Sequence, residues 1–277
     1  MNVRRIARTV NGTAAVDGAG VRLVRVLSRP DVGHADPFLM LDAFDSTDPE
    51  DYVKGFPWHP HRGIETITYL IDGHIEHGDS IGNRGTIGPG ECQWMTAGSG
   101  ILHQEMPRPA KRMLGAQLWL NLPAKDKMCP PKYRDVRAGT VPVATNGGAS
   151  VRILAGVHEG IQGAVSPDYV DIVYLDVGLA PGATFRRPVS KTATAFAYLF
   201  EGSFAAGDAG AKARDAAFFE DGDEISVVAG KDGARFLFAA GEPLDEPIAW
   251  GGPIVMNTRE ELRTAFRELD EGTFLKR

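Results

Sequence analysis

Cysteine is scarce in this chain, and an excess of positive charge is absent. The 277 residues include two cysteines, Cys92 and Cys129, so no disulfide framework follows and a reducing compartment is expected. Acidic residues (36) outnumber Lys and Arg (30), which argues against a surface that binds nucleic-acid phosphates. No apolar run is long enough to span a membrane, and no apolar stretch follows the basic N-terminus as in a secretory signal. These absences predict a cytoplasmic protein without a direct nucleic-acid or membrane partner.

Glycine and proline, in contrast, are plentiful and spread along the chain. The 33 glycines and 18 prolines form no repeat, so they indicate many turns. Between them lie short segments rich in β-forming residues, such as VRLVRVLS (21–28), TITYLIDG (66–73) and AQLWLNLP (116–123). Several short strands at close spacing predict an all-β sandwich or barrel.

Length and internal similarity predict two domains. A chain of 277 residues is at the upper limit for one hydrophobic core. YLIDGHIEHGD (69–79) is similar to YLFEGSFAAGD (198–208), as expected for two copies of one fold. The proline-rich, charged stretch 123–136 is typical of a crossing between them. We therefore expect domains at 1–140 and 141–277.

The C-terminus is predicted to be helical. In NTREELRTAFRELDEG (257–272), Thr258 and Glu261 have the spacing of a capping box, and Gly272 fits the C-terminal cap. The apolar residues recur at helical spacing: Leu262, Ala265, Phe266 and Leu269. One short amphipathic helix should close the chain.

Histidine is distributed unequally between the two halves. Six of the seven histidines lie within the first 103 residues, and the second half has only His158, which we expect at the surface. His74 and His77 follow an Asp-Gly turn, which predicts a solvated hairpin. If both halves share one fold, only the first half can hold a histidine-based metal.

Two pairs of residues have the spacing that brings ligands together. His59 and His61 are two positions apart, as are His103 and Glu105. On an extended strand such residues point to the same face, with Cα atoms about 6–7 Å apart. Three imidazoles and one carboxylate suit a divalent first-row metal with open coordination positions, iron above all. A closed structural zinc site would instead call for thiolates.

Several of these segments resemble one family. GFPWHPHRGIETITYLIDG (55–73), HGDSIGNRGTIGPGECQWMTAGSGILHQEMP (77–107) and DPFLMLDAF (36–44) look like the pirin family, and GEPLDEPIAWGGPIVMNTREE (241–261) resembles the pirin C-terminal half. The resemblance spans residues from about 36 to 272. It implies two cupin domains, each a jelly-roll β-barrel, of which the second has no metal.

The resemblance also implies a ligand set. In pirins the ligands are the histidines of H-P-H and the histidine and glutamate of H-x-E. These match His59, His61, His103 and Glu105, which would bind one divalent transition metal per chain, iron first and other first-row metals also fitting. General cupins use a glutamate at the position of Glu65, so Glu65 competes with Glu105 as the carboxylate ligand.

The activity implied by the family is quercetin 2,3-dioxygenation, with a flavonol as the aromatic substrate. Glu105 would then be the catalytic base. Candidate residues for an apolar pocket are Trp58, Trp94, Met95, Met106 and Trp119. Some pirins instead act as metal-containing regulatory proteins through a protein partner, and this alternative stays open.

Overall fold

The computed structural model describes residues 2–276, and strands dominate it. The first twelve strands are β1 (Ile6–Asn11), β2 (Thr13–Asp17), β3 (Val21–Leu27), β4 (Phe38–Ser46), β5 (Phe56–His61), β6 (Ile64–Asp72), β7 (His74–Asp79), β8 (Arg84–Ile87), β9 (Cys92–Thr96), β10 (Ile101–Arg108), β11 (Met113–Asn121) and β12 (Lys132–Val136). The remaining strands are β13 (Val143–Asn146), β14 (Ala149–Ala155), β15 (Val157–His158), β16 (Ile161–Gln162), β17 (Ile172–Leu179), β18 (Thr184–Pro188), β19 (Thr194–Ala206), β20 (Ala209–Lys212), β21 (Asp215–Phe219), β22 (Glu224–Gly241), β23 (Ala249–Gly251) and β24 (Ile254–Met256). The α-helices are α1 (Val32–Ala35) and α2 (Arg259–Asp270).

The chain forms two compact units, and each is discontinuous in sequence. Within the described residues, the first unit consists of 13–33, 38–138 and 244–276, and the second unit of 2–12, 34–37 and 139–243. The change near residue 139 lies close to the predicted border at 140. Both chain ends lie outside their predicted domains. The N-terminal strand β1 pairs with β21 and so belongs to the second unit, and the C-terminal segment from residue 244 onward belongs to the first unit.

Two antiparallel sheets make up most of the first unit, and the short strands β23 and β24 pair with each other. One of the two sheets has seven strands in the order β12-β9-β6-β11-β4-β3-β2, and the other has four in the order β5-β10-β7-β8. Strand β5 pairs with β10 so that His59 lies opposite His103. The small sheet therefore places both predicted pairs side by side.

The second unit has one nine-stranded sheet with an apolar interior. Its main order is β1-β21-β19-β22-β17-β14-β13, with β18 paired to β22 and β20 to β19. Buried aromatic residues fill it: Phe185, Phe204, Phe219, Phe236 and Phe238. His158 is buried as well, with its ring stacked on Phe185 at a centroid distance of 5.6 Å. The predicted surface position of His158 is therefore wrong, because the imidazole packs as a flat ring on this aromatic core.

The C-terminal helix forms as predicted. Thr258 accepts a hydrogen bond from the Glu261 amide, and the Glu261 carboxylate accepts one from the Thr258 amide, so the capping box is complete. Ala265 is buried against Ile254 and Met256, whereas Phe266 is 37% exposed. Within residues 2–276, no helix is long and apolar enough to cross a membrane.

Candidate metal centre

Three histidines meet inside the first unit. The ring centroids of His59 and His103 are 4.3 Å apart, and that of His61 lies 4.9 Å from His59 and 5.0 Å from His103. One ring nitrogen of each lies within 4.8 Å of the others. The strand register thus brings three of the four predicted ligands into a group that can hold one metal ion.

The hydrogen bonds of these imidazoles leave nitrogens available for a metal. His59 Nδ1 donates to the Pro57 carbonyl at 2.8 Å, and His61 Nδ1 donates to the Pro253 carbonyl at 3.1 Å. Because a carbonyl only accepts, both rings carry their proton on Nδ1 and present a lone pair on Nε2. Both nitrogens of His103 are buried without a protein partner. Buried polar atoms normally have a partner, so these residues fit a metal ion.

Burial keeps two of the imidazoles neutral. It lowers the pKa of His61 to about 3, with the nearby His59 as the next cause. Burial also lowers the pKa of His103 well below its usual value, and the neighbouring histidines act in the same direction. A metal ligand must be unprotonated, so both rings are ready to bind without first releasing a proton at neutral pH.

Glu105 lies on the same face of β10 as His103 but outside the group of three ligand nitrogens. Gln117 Nε2 donates to both of its carboxylate oxygens, at 3.0 and 2.8 Å, and Thr68 Oγ1 donates to Oε1 at 2.9 Å. Trp119 Nε1 donates in turn to Gln117 Oε1 at 3.1 Å, which fixes the orientation of the amide. The side chain of Glu105 is therefore held in place.

Sequence reasoning missed Gln117 and Thr68, although a signal was present. Each is a polar residue at a buried or nearly buried position of a strand that is otherwise mostly apolar. Since burying a polar group costs free energy unless it is hydrogen-bonded, such positions point to a polar site.

Glu65 lies on the opposite face of β6 from Thr68, because the two residues are three positions apart. Its Oε1 accepts a hydrogen bond from Thr96 Oγ1 at 2.5 Å, and Oε2 is buried without a partner. Burial raises the pKa of the Glu65 carboxyl. This geometry favours Glu105 over Glu65 as the carboxylate of the site.

A cavity of about 730 Å³ opens onto the site. His59, His61 and Glu105 line it together with apolar and aromatic residues: Met40, Phe56, Trp58, Trp119 and Trp250. Trp58 and Trp119 were predicted to line an apolar pocket, whereas Trp94, Met95 and Met106 lie outside this lining. Trp250 was missed because it is distant in sequence. The cavity suits a flat aromatic ligand with oxygen groups near the histidines.

His77 does not lie in the predicted solvated hairpin. Its side chain is buried, its ring stacks on Tyr133 at 4.7 Å, and Nε2 lies 3.1 Å from Asp135 Oδ1. His77 is paired with Glu105 across β7 and β10, so it faces the same interior. The adjacent turn gave no indication of this burial, since His74 is exposed.

Fold and site together define a protein with two cupin domains, the first of which has three histidines that could hold a metal ion. A family model described as "Pirin" matches residues 20–120, and one described as "Pirin C-terminal cupin domain" matches residues 174–275. The chain belongs to the pirin family.

Individual relatives cover nearly the whole chain. A "Pirin-like protein" of Caulobacter vibrioides is 44% identical over 99% of this chain and 100% of its own length. Human "Pirin" is 38% identical over 97% of this chain and 94% of its own length. The crystal structure of a quercetin 2,3-dioxygenase from Acinetobacter baumannii is 30% identical, covers 99% of both chains and superimposes with a TM-score of 0.89.

Proposed function

We propose that this protein is a metal-dependent dioxygenase of the quercetin 2,3-dioxygenase type, with one metal ion, preferably iron, held by His59, His61, His103 and Glu105. The observation that carries the proposal is the group of three imidazoles beside an aromatic cavity. Similarity to the Acinetobacter baumannii quercetin 2,3-dioxygenase structure supports the reaction class.

The first role of these residues is to bind and orient. A bound first-row metal would supply Lewis-acid polarisation of an oxygen ligand and redox chemistry toward dioxygen. His59 and His61 are oriented by the carbonyls of Pro57 and Pro253, so their Nε2 atoms keep a fixed direction. This preorganisation avoids a rearrangement when the metal binds.

The second role is proton transfer, which we assign to Glu105. A flavonol must lose its enolic proton before it can bind as an anion, and a carboxylate oxygen of Glu105 can accept that proton. Gln117 and Thr68 donate to the carboxylate, so they hold it in position for the transfer. Residues around the opening, such as Trp58 and Trp250, provide flat surfaces for an aromatic ring.

The test is turnover by the metal-loaded protein. Aerobic incubation of the iron-loaded chain with quercetin should remove the flavonol absorbance and release carbon monoxide, with the His61→Ala protein as a control. Lack of turnover with every first-row metal would contradict the proposal and leave the regulatory alternative, in which a protein partner is bound.

A further inference from the structure

The C-terminal segment contributes directly to the candidate metal centre. Trp250, Gly252 and Pro253 line the cavity, and the carbonyl of Pro253 accepts the hydrogen bond from His61 Nδ1 although the two residues are 192 positions apart. The His61 ring also contacts the rings of His59, His103 and Trp119, while Pro253 supplies the hydrogen bond to its Nδ1. The tautomer and orientation of this imidazole therefore depend on a segment remote in sequence.

The backbone of the same segment is hydrogen-bonded to the residues that directly follow His61 at the end of β5. The Val255 amide donates to the Arg62 carbonyl at 3.1 Å, and Arg62 forms a parallel bridge with Ile254. At Gly63 (φ +76°), an added Cβ would lie 1.9 Å from the Val255 carbonyl oxygen. Only glycine permits this approach, so the segment lies directly against the His-Pro-His-Arg-Gly stretch.

Arg62 anchors the far end of the segment. Its side chain is 2% exposed, and it donates to Glu268 Oε2 at 2.7 Å and to the Phe274 carbonyl at 2.8 Å. The guanidinium also lies 4.2 Å from the centre of the Phe274 ring. One residue next to His61 thus binds both the helix α2 and the chain that follows it.

We propose that residues 250–274, which we name the C-terminal clasp, are a positioning element of the metal centre. Arg62 holds the clasp through Glu268 and Phe274, and the clasp holds the His61 imidazole through the Pro253 carbonyl. Weakening the contacts of Arg62 with Glu268 or Phe274 should weaken metal binding even though every ligand is still present. The inference rests on the metal-binding part of the proposed function.

A matched pair of substitutions at the chain end tests the clasp. Phe274→Ala removes the ring that stacks on Arg62, whereas Leu275→Ala changes the exposed residue beside it. In nickel(II) titrations of the full chain, Phe274→Ala should weaken binding by about 10-fold, at the lower end of the effect of residues that orient ligands. Leu275→Ala should bind like the unmodified protein. Equal affinity in both variants would overturn the proposal.

A second pair of substitutions, at the end of helix α2, should disturb the fold less. Glu268→Gln removes the charge that pairs with Arg62, whereas Glu271→Gln removes an exposed charge one turn further along. Only Glu268→Gln should reduce nickel affinity, while thermal unfolding shows that both variants are folded at the titration temperature. A loss of affinity that is equal in the two variants would contradict the role of Arg62.

A signal that needs no metal separates this inference from the proposed function. In histidine-labelled protein, nitrogen NMR should show His61 protonated on Nδ1, and Phe274→Ala should shift this signal. If it stays unchanged, the clasp does not position His61, whatever the enzyme does. If the unmodified protein binds one nickel ion and Phe274→Ala shifts the signal, but quercetin is never consumed, the dioxygenase proposal fails and the clasp stands.

Discussion

The two units share one strand arrangement but fill it with different side chains. In the first unit, β10 pairs with β5 and β7, and β11 pairs with β4 and β6. In the second unit, the single long strand β22 takes the positions of both β10 and β11. Its beginning pairs with β18 and with the end of β19. Its remainder pairs with β17 and with the beginning of β19. Strand β18 is therefore the counterpart of β5.

The side chains at these corresponding strands differ completely in chemistry. In the first unit β5 and β10 present His59, His61 and His103. In the second unit β18 presents Phe185 and Arg187, paired with Val227 and Ile225 of β22. Phe185, Val227 and Ile225 belong to the buried core, and Arg187 donates to the Val157 carbonyl at 2.7 Å. Burial lowers the pKa of Arg187 to about 10.

This difference predicts that the barrel does not need a metal to fold. The second unit is stabilised by packed phenylalanine and aliphatic side chains at the place where the first unit has imidazoles. We therefore expect the polar interior of the first unit to serve function rather than stability. Substitutions in each unit should therefore affect different properties.

The largest effect is expected at His61. His61→Ala should reduce metal binding and quercetin turnover to background, because one of the few ligands is lost and even orienting residues account for 10–100-fold in affinity. Unfolding should stay cooperative, with a midpoint lowered slightly by lost metal linkage. Metal analysis, turnover and calorimetry check these three outcomes.

The matching change in the second unit is His158→Ala. We expect one metal ion per chain both in this variant and in the unmodified protein, because His158 packs on Phe185 rather than facing other histidines. Two ions per unmodified chain would refute the assignment of a single site.

Glu105→Gln should have the next largest effect. The amide keeps an oxygen that can coordinate weakly but cannot accept the substrate proton, so turnover should fall by about 100-fold or more while some metal remains bound. Quercetin consumption per bound iron is the measurement. Gln104→Glu, a change of the less buried neighbour, is the control and should have little effect. Turnover at the unmodified rate in Glu105→Gln would exclude the role as general base.

In the second unit, a core substitution should lower stability without affecting metal binding. Phe236 is 1% exposed and contacts Phe185 and Phe204, so Phe236→Ala should lower the free energy of unfolding of this unit by about 3–5 kcal/mol. Nickel affinity should stay unchanged in the protein that remains folded. Chemical denaturation measures the stability, and Val228→Ala, an exposed position on the same strand, is the control. A large loss of nickel affinity would show that the units are not independent.

Local pattern was enough to predict the β-architecture, the C-terminal helix and the two ligand pairs, while the resemblance to pirins implied that the pairs form one site. A period of two along β5 and β10 placed the imidazoles on one face, and the capping residues Thr258 and Glu261 marked the helix start. The contribution of Pro253 and the burial of His77 were beyond such reasoning. Each depends on pairing between segments far apart in sequence, which periodicity within one segment does not encode.

The smallest effect is expected at Glu65, the other candidate for the carboxylate ligand. Burial raises the pKa of its carboxyl above the ordinary value of 4.5, so the folded state holds the proton more tightly than the unfolded state. Stability from this group is present below pH 4.5 and is lost as the pH rises through the folded pKa. Glu65→Gln removes the buried charge and retains an oxygen that can accept the hydrogen bond from Thr96. Its gain in unfolding free energy over the unmodified protein should therefore grow with pH, to about 1 kcal/mol at neutral pH.

Denaturation at several pH values measures this gain, and Glu76→Gln serves as the control. Glu76 is exposed and its ion pair with Arg108 lowers its pKa, so neutralising it should give no such gain. Nickel affinity should be the same in Glu65→Gln as in the unmodified chain, because Glu65 lies on the face of β6 opposite to Thr68 and the site. A Glu65→Gln protein that no longer binds nickel would instead make Glu65 the carboxylate ligand and remove Glu105 from that role.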